Sequence, residues 1–305
     1  MKKRQLGNSS LQVSEIGLGC MSLGKDAAHA ETIISAALEE GINYFDTADL
    51  YDFGVNEKIV GQALKHVRDE VIIATKVGNR WNEAQDNVKW DASAAYIKSA
   101  VKDSLNRLGT DYIDFYQLHG GMIEDNIEES ISAFEELKKE GLIRYYGISS
   151  IRPNVIKKYA ADSAIQAVMM QYSLLDRRPE EWQHLLEENQ ISIIARGPVA
   201  KGLLSKKMLT KASNNVKEKG YLDYSYEELA ALLPTIQETL PRPLTETALQ
   251  YVLANPSVAT VVAGASSVEQ LRENCQAVRG LPLTEEELAA LKKLTKENVY
   301  TSHRE

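Results

Sequence analysis

"NYFDTADLYDFG", Asn43 to Gly54, begins as a strand and then turns polar. Its start is aromatic and apolar, as half-buried strands are. From Asp46 to Tyr51 it then places two carboxylates, Asp46 and Asp49, and a phenol. A short β-rich run of this kind recurs along the chain. The runs are EIGLGC (15–20), NYFDTA (43–48), VIIATKV (71–77), YIDFYQLH (112–119), IRYYGIS (143–149), AVMMQYS (167–173), ISIIARG (191–197) and VATVVAGA (258–265). Between them lie amphipathic stretches such as AETIISAALEEG, AAYIKSAVKDSLNRLG and IEESISAFEELKKEG, closed by a glycine in the manner of a helix C-cap. Eight strands, each followed by a helix, predict an α/β fold of the (β/α)8 TIM-barrel kind. A doubly wound sheet is the structural alternative.

The flanks extend this reading. RQLGNSSLQVSEIG (4–17) predicts an N-terminal β-hairpin turning at Gly7-Asn8-Ser9-Ser10. TEEELAALKKLTKEN (284–298) predicts a C-terminal helix with Thr284 as N-cap and Glu287 three residues on. A polar segment, 205–235, interrupts the seventh unit. No linker divides the chain, so 1–305 is expected to form one barrel domain. GLGCMSLG (17–24) looks like a dinucleotide-binding loop, but its GxGxxxxG spacing is not GxGxxG. It is read as a first loop that must stay slim beside a ligand.

Composition narrows the function. The net charge is −8, which argues against a nucleic-acid partner while leaving room for a local basic pocket. Cys20 and Cys275 have no metal-like spacing and form no disulfide framework, which fits a reducing cytoplasm. No metal site is expected. MKKRQLGNSS lacks a following apolar region, so no signal peptide is expected. No apolar run approaches a membrane span.

The chemistry lies at strand ends. Functional side chains of a parallel barrel sit at the C-terminal ends of its strands. Asp46 ends the second strand, Lys76 lies near the end of the third, and His119 ends the fourth. Neighbouring strands are about 5 Å apart, so an acid, a cation and an imidazole should converge at one mouth, with Tyr51 reaching in from the second loop. Taken singly, each has an ordinary explanation: a solvated lysine, a structural histidine, an aspartate capping the next turn. Together those explanations weaken. Lys76 follows five residues that are apolar or threonine, and a buried ammonium needs a partner. A nearby ammonium should lower the phenol's pKa, and a carboxylate should hold the ammonium in place. The product is a phenol able to protonate an oxygen on which charge develops, as carbonyl reduction by hydride requires.

Over essentially its whole length the chain resembles the aldo-keto reductase superfamily, of bacterial type. FDTADLYDFGVNEKIVGQAL, VIIATKVG, SLNRLGTDYIDFYQLHG, LKKEGLIRYYGISS and VVAGASSVEQLREN match family blocks in order. The resemblance implies a barrel that uses NADP without a Rossmann domain, NAD remaining open, and a small-molecule carbonyl substrate. It implies a catalytic tetrad of Asp46, Tyr51, Lys76 and His119, with Tyr51 the general acid, Lys76 and Asp46 its tuning pair, and His119 orienting the substrate. At the cofactor it implies Ser149 and Ser150, where the family commonly has Ser-Asn. It implies Gln171, the usual glutamine position being Met169. In IIARGPVAKGLLS it implies Arg196, Gly197 and Gly202. Arg196 stands where the family often has a stacking aromatic. A guanidinium plane can stack on the nicotinamide and would favour its reduced form; equally, it can turn away to meet an anion. Gly264, Ser266, Ser267, Gln270, Arg272, Glu273 and Asn274 are implied at the pyrophosphate and adenosine, with Ser266 where a cation is common.

Two other functions stay open at this point. One is a regulatory or redox-sensing subunit on the same barrel; the other is a sugar-phosphate isomerase or lyase, which leaves Tyr51 unexplained. Trp81 and Trp90 in the third loop are expected either to wall a substrate pocket or to pack on the rim. The 199–235 segment is expected to fold over the cofactor. Asp49 and Asp52 are read as solvated turn residues. The substrate, the oligomeric state and the preferred direction of reaction are not legible.

Overall fold

The computed structural model of the chain describes residues 1–82 and 84–305. The expected hairpin comes first: β1 (Lys3–Gln5) pairs antiparallel with β2 (Gln12–Ser14), Arg4 opposite Val13. Its turn needs glycine. Gly7 has φ +56°, and a Cβ there would sit 2.2 Å from the Gln166 carbonyl oxygen.

The barrel strands are β3 (Ile16–Gly19), β4 (Tyr44–Asp46) and β5 (Ile72–Val77). A separate antiparallel ribbon follows, β6 (Asn79–Trp81) with β7 (Val88–Trp90). The barrel resumes with β8 (Ile113–Leu118), β9 (Ile143–Ser149), β10 (Ala167–Gln171), β11 (Ser192–Arg196) and β12 (Val258–Gly264). These eight strands pair in parallel, and β12 returns to β3 to close the barrel. A helix follows each one, as in Ala27–Glu39 after β3 and Val268–Arg279 after β12. The polar 205–235 segment contains helices Asn214–Lys219 and most of Tyr226–Thr239. The C-terminal helix runs Glu285–Leu294, with the Thr284–Glu287 capping box in place.

Burial follows strand parity. Inward residues such as Tyr44, Ala74, Phe115 and Met169 form one cluster with Leu6, Leu11 and Val13 of the hairpin. Tyr44, Ile72 and Ala167 begin their strands, so the hairpin plugs the N-terminal end of the barrel. Outward residues such as Ile73, Tyr116 and Ile148 pack in the larger cluster with Ile33, Val101 and Phe134 of the helices. The opposite end is left as the mouth. Gly17 lies inside β3 and not in the first loop. A Cβ at Gly17 would meet the Tyr44 ring at 2.7 Å, so that glycine's slimness serves the neighbouring strand.

Candidate active site

β4 and β5 run side by side with Asp46 opposite Ala74, and Lys76 two residues farther along points into the same barrel interior. Lys76 is fully buried and Asp46 is 3% exposed. The Lys76 Nζ donates to Asp46 Oδ2 at 2.7 Å and to the Thr47 carbonyl oxygen at 2.6 Å. Its third direction is Tyr51 Oη, at 3.4 Å, a long contact of the kind that tightens when a substrate arrives. The tyrosine ring stands edge-on to His119, centroids 6.1 Å apart and planes at 84°. The three residues picked from strand ends, Asp46, Lys76 and His119, therefore share one site with Tyr51 of the second loop.

Burial alone would lower the Lys76 pKa, but Asp46 and then Tyr51 outweigh it and leave it raised. The ammonium thus stays charged. Burial likewise pushes Asp46 up, against the pull of Lys76 and a hydrogen bond from Gln117. Tyr51 contradicts the expected direction. Its pKa is raised, because burial and the Asp46 charge exceed the pull of Lys76 and Arg196. The phenol keeps its proton across the neutral range. His119 is driven down to about 3 by burial, Lys76 and Arg196, so its imidazole is neutral. Its Nδ1 is buried and has no hydrogen-bond partner among the described residues.

The loop after Tyr51 is held in an unusual conformation. Asp52, Phe53 and Gly54 have φ of 48°, 53° and 84°, three left-handed residues in succession. Gly54 also faces the Arg107 side chain, which a Cβ would approach to 2.5 Å. Asp52 pairs with Lys25 at 3.4 Å. Asp49 is not solvated as the sequence suggested: it is 1% exposed, and neither carboxylate oxygen has a hydrogen-bond partner among the described residues.

A cavity of about 740 Å³ opens beside the tetrad. Ser149, Ser150 and Arg196 line it together. Gln171 lies opposite Arg196 on the adjacent strand, and Met169 keeps its parity but is buried in the inner core. Gly197 and Gly202 adopt positive φ, 67° and 91°. Gly264 ends β12 close to Ser22, whose Oγ a Cβ would approach to 2.8 Å. Ser267 caps the Val268–Arg279 helix through the Gln270 amide, and the Gln270 side chain accepts from the Ser266 amide at 3.0 Å. Arg272 points to Glu39 and Glu40 at 3.3 and 3.6 Å, and Glu273 pairs with Lys206 at 3.3 Å. Asn274 is buried.

Several contributors were missed in the sequence. Gln117 is fully buried and donates to Asp46 Oδ1 at 3.3 Å. It shares parity with His119, a readable signal. The C-terminal tail also walls the mouth, with Asn298, Tyr300 and His303 among the lining residues, as do Leu222 and Asp223 of the long seventh loop. Trp90 packs against Gly78 and Gly120 and donates to Asp125 at 2.9 Å, while Trp81 stands edge-on to Phe53 at 6.0 Å.

The chain is similar over its whole length to known proteins. The aldo/keto reductase family model matches residues 15–296. The chain is 60% identical over 305 residues to the uncharacterized oxidoreductase YqkF of Bacillus subtilis, covering all of both chains. It is 30% identical to the NADH-specific methylglyoxal reductase of Escherichia coli, over 91% of this chain and 94% of that one. The holo structure of aldo-keto reductase AKR11C1 from Bacillus halodurans superposes with a TM-score of 0.94 at 59% identity, covering 100% of each chain. The chain belongs to the aldo/keto reductase family and is an NAD(P)H-dependent oxidoreductase acting on carbonyl groups.

Proposed function

We propose that the protein reduces a small aldehyde or ketone to its alcohol, with NADPH as hydride donor and Tyr51 as proton donor. The observation that carries this reading is the Lys76 ammonium, buried and donating at once toward Asp46, Thr47 and Tyr51. When bound, the cofactor supplies the hydride. The chain's own residues deal with the proton. As negative charge grows on the substrate oxygen, the Tyr51 phenol passes it a proton. The phenolate left behind is stabilised by Lys76, whose charge Asp46 holds in place. A raised phenol pKa means that the group is fully protonated before the reaction. Neutral His119 offers the oxygen a hydrogen-bond partner without competing as an acid.

The residues present fit a nicotinamide dinucleotide. Ser149, Ser150 and Arg196 line the mouth, beside Gln171. Ser267 begins a twelve-residue helix, whose N-terminus favours phosphate. The E. coli relative is named NADH-specific, so preference is argued from residues. Serines 266 and 267, with Arg272 on the helix and Lys206 reaching Glu273 across from it, support NADP, NAD being the alternative. Arg272 would have to leave Glu39 and Glu40 to meet a phosphate; the Glu39 pair is exposed and exchanges at little cost, and Glu40 keeps Arg279 as its partner. Initial rates with NADPH and NADH decide this: an equal or larger kcat/KM with NADH overturns the NADP assignment. We read the chain as a one-domain cytoplasmic enzyme without nucleic-acid or membrane partners. Among the described residues, no helix is long and apolar enough to cross a membrane.

A further inference from the structure

The inward row of β8 continues from Phe115 to Gln117 and then to His119, just past the strand's end. Gln117 stands opposite Lys76 in the register of β5 and β8. Asp46 lies on β4, on the far side of β5 and one layer deeper, opposite Ala74. The Gln117 amide reaches past β5 to it, and its Nε2 donates to Asp46 Oδ1 at 3.3 Å. The other carboxylate oxygen, Oδ2, takes the Lys76 ammonium at 2.7 Å. One carboxylate is thus held by two donors, one on each oxygen. Gln117 is fully buried, and its Oε1 has no hydrogen-bond partner among the described residues. Turned the other way, the amide would set that oxygen against the carboxylate, so Asp46 fixes its orientation. Packing alone would favour an apolar side chain here, because burying an amide with one atom unpaired costs stability. An unpaired buried polar atom beside reacting groups calls for a functional reason.

We propose that Gln117 is a positioning residue for carbonyl reduction: by holding Oδ1 of Asp46 it turns Oδ2 toward Lys76 and fixes the ammonium against the Tyr51 hydroxyl. This role presupposes Tyr51 as the proton donor. The same bond helps keep Asp46 ionised. Burial pushes its carboxyl up, while Lys76, Gln117 and Arg196 pull it down. The other titratable groups that face this cluster hold their charge. Lys76 on β5 is raised and stays an ammonium. Cys20 just past β3, Tyr44 on β4 and Tyr51 are pushed up by burial and stay neutral. As pH falls, Asp46 takes up a proton before His119, which is held down to about 3. The acid limb of turnover therefore belongs to Asp46. Loss of a hydrogen bond to its charged form raises its pKa, so without Gln117 that limb begins at higher pH.

The test is steady-state NADPH oxidation with one aldehyde from about pH 5 to 9, alongside NADPH binding by fluorescence, for the full-length wild type and its variants. Gln117→Met keeps the length of the side chain and removes the donor. It should lower kcat about five- to twentyfold near pH 7, with KM and cofactor affinity unchanged. It should also move the acid limb up by about one pH unit, the worth of one long charge-assisted hydrogen bond. In an Asp46→Ala background the same change should cost less than about twofold, because its target is gone. If Gln117→Met fails to fold, Gln117→Glu, of the same shape, decides. Its carboxyl donates to Asp46 only when protonated, so its turnover should fall relative to wild type as pH rises. A Gln117→Met kcat within about twofold of wild type, an unmoved acid limb, or an equal loss in the Asp46→Ala background overturns the proposal. So does a Gln117→Glu profile parallel to that of wild type. Tyr51→Phe tests the proton donor separately: an inactive Tyr51→Phe beside a wild-type-like Gln117→Met strikes only the role of Gln117.

Discussion

Replacing Lys76 by methionine separates two roles that the lysine holds at once. The side chain fits roughly the same volume, but three donated contacts at 2.6, 2.7 and 3.4 Å disappear. Asp46, 3% exposed, is left with Gln117 at 3.3 Å. Breaking a buried ion pair in this way costs about 3–5 kcal/mol. Protonating a carboxyl of ordinary pKa at pH 7 costs about 4 kcal/mol, which caps the loss near that figure. Adding Asp46→Asn removes the stranded charge, and the double variant should regain about half of the stability or more. Activity should not return. Without the ammonium the Tyr51 phenolate is unsupported, and the expected loss in kcat is about 10²–10³-fold in both variants. Urea unfolding followed by circular dichroism gives the stabilities, and NADPH oxidation at 340 nm gives the rates. A double variant that turns over within tenfold of wild type refutes the tuning role of Lys76. A single variant as stable as wild type refutes the buried-pair argument.

Other expectations follow from the same geometry. The His119 pKa is depressed to about 3, below its unfolded value near 6.5. The unfolded chain therefore binds the extra proton first. This contribution to stability is intact above about pH 6.5 and falls away as pH drops toward 3, by on the order of 5 kcal/mol at most. His119→Asn should flatten that part of the stability curve, and kcat/KM of the wild type should lack a histidine limb between about pH 5 and 9. Gly61→Ala should destabilise the fold by about 1–3 kcal/mol in urea unfolding, because the new Cβ would lie 2.0 Å from the Leu108 carbonyl oxygen where two helices touch. Arg196→Ala tests stacking on the nicotinamide: the ratio of NADPH to NADP⁺ affinity should fall, and an unchanged ratio removes the stacking account.

Much of this was legible in the residues. The eight strands could be placed because apolar runs and amphipathic stretches alternate along the chain, the 205–235 interruption apart. The tetrad could be assembled because a parallel barrel gathers its strand ends. What stayed hidden depended on contacts made far along the chain. Asp49 reads as a turn residue until Glu57 and Arg107 close around it. Arg272 pairs with Glu39, 233 residues away, which no local pattern announces. The sign of the Tyr51 shift turned on how deeply the ring is buried, and a list of charged neighbours cannot supply depth. Gln117 was within reach of a parity argument. The tail around Tyr300 was not, since it reaches the mouth from beyond the last helix, far along the chain from the strands it meets.

The central claim is that Tyr51 gives the proton, and Tyr51→Phe tests it most directly. The ring and its edge contact with His119 stay, while the one hydroxyl is removed. The measurement is NADPH oxidation at 340 nm against a panel of aldehydes and ketones, alongside NADPH binding by fluorescence. The account predicts a fall in kcat of about 10²–10⁴-fold with cofactor affinity unchanged. Turnover within a few fold of wild type would contradict it.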